Sequence, residues 1–246
     1  MRAPRLRRTS ISLAGCEVCE ARLYLSAETV VLLAAEDVTS SNESVETLAV
    51  AGLDAEAIAA LQAEYGLTGS GQTVVIIDTG VAYDHEALGG GYGAGYLVVG
   101  GYDFAEDDSD PYDDAMGHGT VVAGILAGES ETINGLASGV DLVALRVFDD
   151  SGYCNIQWVE EALQWVLDNL DSFENPITTI NLSLGVNLSA EQLASVSILE
   201  DELAALNADG IFISVAAGNS FTTYASTGLA YPASSPSVVA AASVDA

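Results

Sequence analysis

Lysine is absent from this 246-residue chain, and its six arginines stand against 36 aspartates and glutamates, a formal charge of −30 at neutral pH. Five of the arginines (Arg2, Arg5, Arg7, Arg8, Arg22) fall in the first 22 positions, so everything beyond them carries one base, Arg146. Such a surface repels nucleic-acid phosphates and anionic lipid, which excludes nucleic acid as a partner class. It tolerates salt and attracts divalent cations. Three cysteines are too few for a disulfide-dense scaffold. Cys16 and Cys19 form a C-x-x-C without the second pair that a zinc site needs, and Cys154 stands alone, with no role assigned to any of the three. Long apolar runs are missing too. Half of the residues are hydrophobic, yet no stretch approaches the ~20 consecutive apolar residues of a membrane helix. The expectation is a soluble chain without membrane insertion, long enough for one α/β domain plus an extension.

Three spans differ in composition. Residues 1–36 open with MRAPRLRR, which resembles the basic start of an export signal, although the stretch after it is too interrupted for a clean apolar core. EARLYLSA (20–27) is similar to a Glu-Pro-Arg-x-Leu-Leu-Ser-Ala motif found near the amino terminus of large exported bacterial proteins. Ala21 replaces the proline and Tyr24 one leucine. This span therefore predicts export, to the medium or the cell surface. Residues 37–60, with the polar run DVTSSNESVE, are expected to be linker.

From about Ala55 the pattern changes, and 61–246 is expected to be one domain. QTVVIIDTG (72–80), VDLVALRVF (140–148), ITTINLSLG (177–185), IFISVAAGN (211–219) and SVVAAASVD (237–245) are short β-branched apolar runs, as buried parallel strands are. Between them, TVVAGILAG (120–128) has the small apolar residues of a buried helix. Ile156, Val159, Leu163, Val166 and Leu170 recur at helical spacing. A further helix is predicted from Ser189 and Gln192, at capping-box spacing, to a stop at Gly210. The alternation predicts a three-layer αβα fold with a mostly parallel sheet, whose ligands gather at the carboxyl ends of the strands.

Chemistry-bearing residues fall at those ends. Asp78 closes the first strand, where a carboxylate can accept a histidine Nδ1 hydrogen bond, fix the tautomer and stabilise the imidazolium. His118, between Gly117 and Gly119 at the start of a helix, is the obvious recipient, with bare backbone on both sides. Asn219 ends another strand and carries an amide able to donate to an oxyanion. Ser183, Leu184 and Gly185 offer backbone groups to an extended peptide.

In order and wording these segments resemble the subtilisin-like serine proteases. VVIIDTGV is similar to the aspartate motif, GHGTVVAG to the histidine motif, INLSLG to the substrate strand and SVAAGN to the oxyanion segment. The resemblance implies a serine endopeptidase acting on polypeptides, with Asp78 orienting, His118 as general base and Asn219 as oxyanion donor. Ser183, Leu184, Gly185, Ala216, Ala217 and Gly218 would line a roomy apolar specificity pocket. The family's nucleophile lies in a Gly-Thr-Ser-Met-Ala-like motif further along, and no Gly-Thr-Ser occurs here. The expectation is a domain truncated at Ala246, its carboxyl-terminal part missing, inactive alone and leaving room for further domains on a longer chain. DFAEDDSDPYDD (103–114) resembles a calcium loop of the family, implying a structural calcium held by Asp103, Asp108, Asp110 and a carbonyl near Tyr112. A second family calcium site takes a carboxylate where Ala87 stands and is expected to be lost. His85 is expected to be structural, and the span before residue 62 is too short and polar for the family's folded inhibitory propeptide.

Two other readings remain to be tested. Asp-Thr-Gly also marks pepsin-like aspartic proteases, with Asp150-Ser151-Gly152 as a second copy, but that fold is nearly all β and leaves His118 and Asn219 without a purpose. The alternative from another class is a pseudoprotease module of a surface protein that binds peptide or calcium without cleaving.

Overall fold

The structure is a computed structural model that describes residues 17–18, 22–26, 29–33, 55–112, 115–130, 133–188, 198–219 and 228–242. Three short strands come first: β1 (Glu17–Val18), β2 (Arg22–Ser26) and β3 (Thr29–Leu33). β2 and β3 form an antiparallel hairpin, Ser26 opposite Thr29. Helix α1 (Ala55–Tyr65) starts within the span expected to be linker and runs on into the domain.

The remaining elements alternate: β4 (Thr73–Asp78), β5 (Val98–Asp103), α2 (His118–Ala127), β6 (Asp141–Arg146), α3 (Ile156–Asp168), β7 (Ile177–Leu182), β8 (Leu184–Gly185), α4 (Glu200–Ala208), β9 (Phe212–Ala216) and β10 (Val239–Ala241). Six of these strands form one parallel sheet in the order β10-β9-β7-β4-β6-β5. β8 leaves this sheet and pairs antiparallel with β1, Leu184 opposite Val18 and Gly185 opposite Glu17.

Both faces of the sheet are covered, which is why strands such as β4 (TVVIID) and β6 (DLVALR) carry consecutive apolar residues rather than alternate ones. Val75, Ile77, Val143, Leu145, Ile180 and Leu182 pack against Val159, Leu163 and Val166 of α3 and Leu203 and Leu206 of α4. On the other face, Val74, Ile76, Leu142 and Ala144 meet Val122, Ala123 and Leu126 of α2. Each such aliphatic side chain contributes about 1.5–3 kcal/mol on burial. The result is the expected three-layer αβα architecture. It also excludes the two-lobed, nearly all-β alternative.

β5 is the one sheet strand that the sequence pattern conceals, because VVGGYD carries two glycines where a strand ordinarily carries β-branched residues. Packing demands them. A Cβ at Gly101 would lie 2.1 Å from the Ala144 carbonyl oxygen, and one at Gly100 would lie 2.6 Å from the Phe173 ring. The helix expected after Ser189 is described as α4 from Glu200, and Gly210 follows it with a left-handed φ of 83°. Ser189 and Gln192 lie outside the described residues.

Candidate active site

Asp78 is the last residue of β4 and is buried, while His118 is the first of α2. The His118 Nδ1 lies 2.7 Å from Asp78 Oδ1, which also accepts the Thr79 backbone N–H at 2.7 Å. A carboxylate offers only lone pairs, so Nδ1 bears the hydrogen and the neutral ring presents its lone pair at Nε2. Asp78 Oδ2 is buried with no hydrogen-bond partner among the described residues. In the family reading, this buried carboxylate holds the ring in place and stabilises the imidazolium that forms during proton transfer.

The two glycines flanking His118 have separate purposes, and exposure is not the main one, since the ring is only 23% exposed. Gly117 is the left-handed residue that opens α2, with φ 73°. Gly119 permits contact: a Cβ there would lie 2.0 Å from the Gly80 carbonyl oxygen. Backbone thus meets backbone between the β4 turn and α2. Two threonines, which sequence reasoning passed over, pin the same junction. Thr79 Oγ1 accepts the Gly119 N–H at 2.9 Å, and Thr120 Oγ1 accepts the Ala82 N–H at 2.8 Å. Their signal was present in the DTG and HGT triplets.

Topology brings the remaining arms to the same edge. β9, β7 and β4 are neighbours, so Asn219, the Ser183–Gly185 stretch and Asp78 follow or end three adjacent strands at their carboxyl ends. Ser183, Leu184 and Ala216 are buried, whereas Ala217, Gly218 and Asn219 are partly exposed. Gly218 adopts φ 99°, and a Cβ there would lie 2.7 Å from that of Ala230. Ala217 is held by bonds to Ala241 and Ala230 at 2.7 and 2.9 Å.

The acidic loop is arranged differently from the rest. Asp103 ends β5 next to Arg146 of β6, which pairs in turn with Asp78 of β4. The buried Arg146 guanidinium bonds Asp103 Oδ2 through Nη1 and Asp150 Oδ1 through Nη2. Asp103 Oδ1 accepts the N–H groups of Ala105 and Glu106. Asp108 Oδ1 accepts the Asp110 N–H, and Asp110 Oδ1 accepts both the Tyr83 hydroxyl and the Tyr112 N–H. Burial, and then the bond to Asp110, push the Tyr83 hydroxyl up to about 12. Among the described residues no three acidic, histidine or cysteine side chains stand close enough to share a metal ion. As placed, Asp103 is engaged by Arg146 and by two loop N–H groups, Asp108 by the Asp110 N–H, and Asp110 by Tyr83 and Tyr112.

His85 caps the short helical turn Glu86–Leu88, its Nδ1 accepting the Ala87 N–H at 3.1 Å. Asp149 folds the turn that holds Asp150-Ser151-Gly152, its Oδ1 taking the Ser151 hydroxyl and the N–H groups of Ser151 and Tyr153. Those bonds, the hydroxyl first, hold its carboxyl below the usual range.

Sequence and fold comparison agree with this geometry. Subtilisin E of Bacillus subtilis (strain 168) is 31% identical over 182 residues, which span 73% of this chain and 42% of that protein. The thermophilic serine proteinase of Bacillus sp. (strain AK1) is 34% identical over 181 residues, 72% of this chain and 39% of the other. The chain thus spans less than half the length of these relatives. The crystal structure of a cold adapted subtilisin-like serine proteinase superposes with a TM-score of 0.52 at 31% identity, covering 71% of this chain and 55% of that one. The profile of the Subtilase family matches residues 69–246, the span that carries the parallel sheet, the Asp78–His118 pair and the strand ends around it. On that match and that geometry, the chain belongs to the subtilase family.

Proposed function

We propose that this chain supplies the acid, base and oxyanion arms of a serine endopeptidase whose nucleophilic serine lies beyond Ala246. The observation that carries the reading is the 2.7 Å contact between His118 Nδ1 and the buried Asp78. In the complete domain, His118 Nε2 takes the serine proton as the hydroxyl oxygen attacks the peptide carbonyl, and then delivers it to the departing amine. Asp78 holds the ring and balances the imidazolium. Asn219 donates to the tetrahedral oxyanion, and the Ser183–Gly185 backbone, against which β1 lies in this structure, receives the extended polypeptide as a strand in place of β1. With its nucleophile elsewhere, the 246-residue chain alone forms no acyl-enzyme.

Export is part of the proposal, on the EARLYLSA resemblance. No helix among the described residues is long and apolar enough to cross a membrane. The test is labelling of the protein, extended through the rest of the family domain, with a serine-directed fluorophosphonate. Labelling that disappears in His118→Ala supports the reading. An unlabelled wild type that still binds peptide would transfer the assignment to a non-cleaving, peptide-binding module.

A further inference from the structure

We infer that Asn181 is a positioning residue for the substrate strand, acting through Ser183; the inference rests on the protease reading above. β7 runs in register between β4 and β9 as far as Leu182, paired with Ile77 on one side and Val215 on the other. The chain then leaves the sheet, and β8 begins at Leu184 with a different, antiparallel partner. Ser183 is the single residue at which this exchange happens. β7 ladder bonds no longer hold the chain there, so its direction must be set by something else.

At the hinge itself a side chain contributes. Asn181 Nδ2 donates to Ser183 Oγ at 2.7 Å, and the two residues are 3% and 0% exposed. Residues two apart on a strand face the same way, so the amide reaches forward along its own strand to the hinge. On the far side of β8 the hold is main-chain. Val186 and Tyr231 exchange two backbone hydrogen bonds, both 2.9 Å. β8 is thus held along its length by β1 and downstream by Tyr231, through backbone that substitution hardly touches, and upstream by one amide–hydroxyl bond, which a single substitution removes.

The residue type supports this role. Asn181 sits between Ile76 and Ser214 in the sheet, a buried position where an amide is costly unless it is bonded. An apolar residue would pack there more cheaply, but it would leave the Ser183 hydroxyl buried without this partner and the hinge free to swing. Asn181 touches neither Asp78 nor His118 in any hydrogen bond, so its loss is felt by the strand and not by proton transfer.

Asn181→Leu, Ser183→Ala and the double variant are compared in the protein extended through the family domain, on a hexapeptide anilide and on a single-residue ester. For Asn181→Leu the expected result is a KM about tenfold higher for the hexapeptide, with kcat within twofold and the ester KM unchanged; Ser183→Ala is expected to raise the hexapeptide KM at least as much. The double variant is expected to be no worse than Ser183→Ala alone. Equal losses on both substrates, or a lower Tm with unaltered KM, overturn the inference. If Asn181→Leu does not fold, Asn181→Ser takes its place in the same comparison. A wild type that hydrolyses neither substrate defeats the protease reading alone. Anisotropy of a fluorescein-labelled hexapeptide on the 246-residue chain then decides the matter: a Kd about tenfold weaker in the variant supports the clamp, and an unchanged Kd refutes it.

Discussion

At Gly119 an added methyl would lie 2.0 Å from the Gly80 carbonyl oxygen, inside any tolerable contact and against backbone that cannot rotate away. Gly119→Ala is therefore expected to cost about 1–3 kcal/mol or more by overpacking and to drive α2 off the β4 turn. Differential scanning calorimetry measures the first effect. The imidazole proton resonances of His118 report the second, and an unshifted His118 signal would mean that the contact relaxes elsewhere. Asn219 belongs to the same scale. In the complete enzyme, Asn219→Ala is expected to lower kcat by about 10²–10³-fold, the loss known for one oxyanion donor in a subtilisin. A loss below tenfold removes Asn219 from that role.

Elements differ in how much of themselves they show in sequence. β4 and α3 are plain, one as a run buried on both faces and the other through apolar residues at helical spacing. Asp78 and His118 were legible for a related reason: each sits at the end of such an element, where position and chemistry coincide. β5 was hidden because close packing against Ala144 and Phe173 overrode strand propensity. Thr79, Thr120 and Asn181 were hidden because their contribution depends on partners up to 40 residues away, or on a change of strand partner that no periodicity records. The loop acids have a partner that was hidden for the same reason. Their spacing suits a cation, but Asp103 is bound by an arginine 43 residues on, a partner that spacing within the loop cannot reveal. α3 offers a test at this scale. Asn155 Oδ1 accepts the Gln157 N–H at 3.1 Å and caps the helix, so Asn155→Ala is expected to cost about 1 kcal/mol in urea unfolding. An unchanged midpoint would show that the first turn is held by packing alone.

For the molecule as a whole, two tyrosines tie stability to pH on the alkaline side. Tyr231 is buried, its hydroxyl oxygen accepting the Leu199 N–H at 3.3 Å. Burial first, and then the charge of Glu200, push its ionisation well above the ordinary tyrosine value. In the unfolded chain that hydroxyl ionises near pH 10. The folded state binds the proton longer, so the stability linked to it is whole below about pH 10 and drains away as pH rises towards the folded value. Tyr83, raised to about 12, adds to the same loss. Tyr231→Phe is expected to move the alkaline unfolding midpoint upward, as followed by near-ultraviolet circular dichroism. An identical midpoint would place the weakness in another group.

Arg146 gives the molecule a built-in reporter. Trypsin cuts after lysine or arginine, and beyond Arg22 this sequence offers it one bond, Arg146–Val147. The structure places that bond at the end of an interior strand, with the arginine 1% exposed between two aspartates. A folded molecule presents the protease with nothing to cut after residue 22, while every molecule that opens its sheet exposes a single site. Two large fragments meeting at residue 146 would thus count unfolding events one by one, without a dye or an engineered tag.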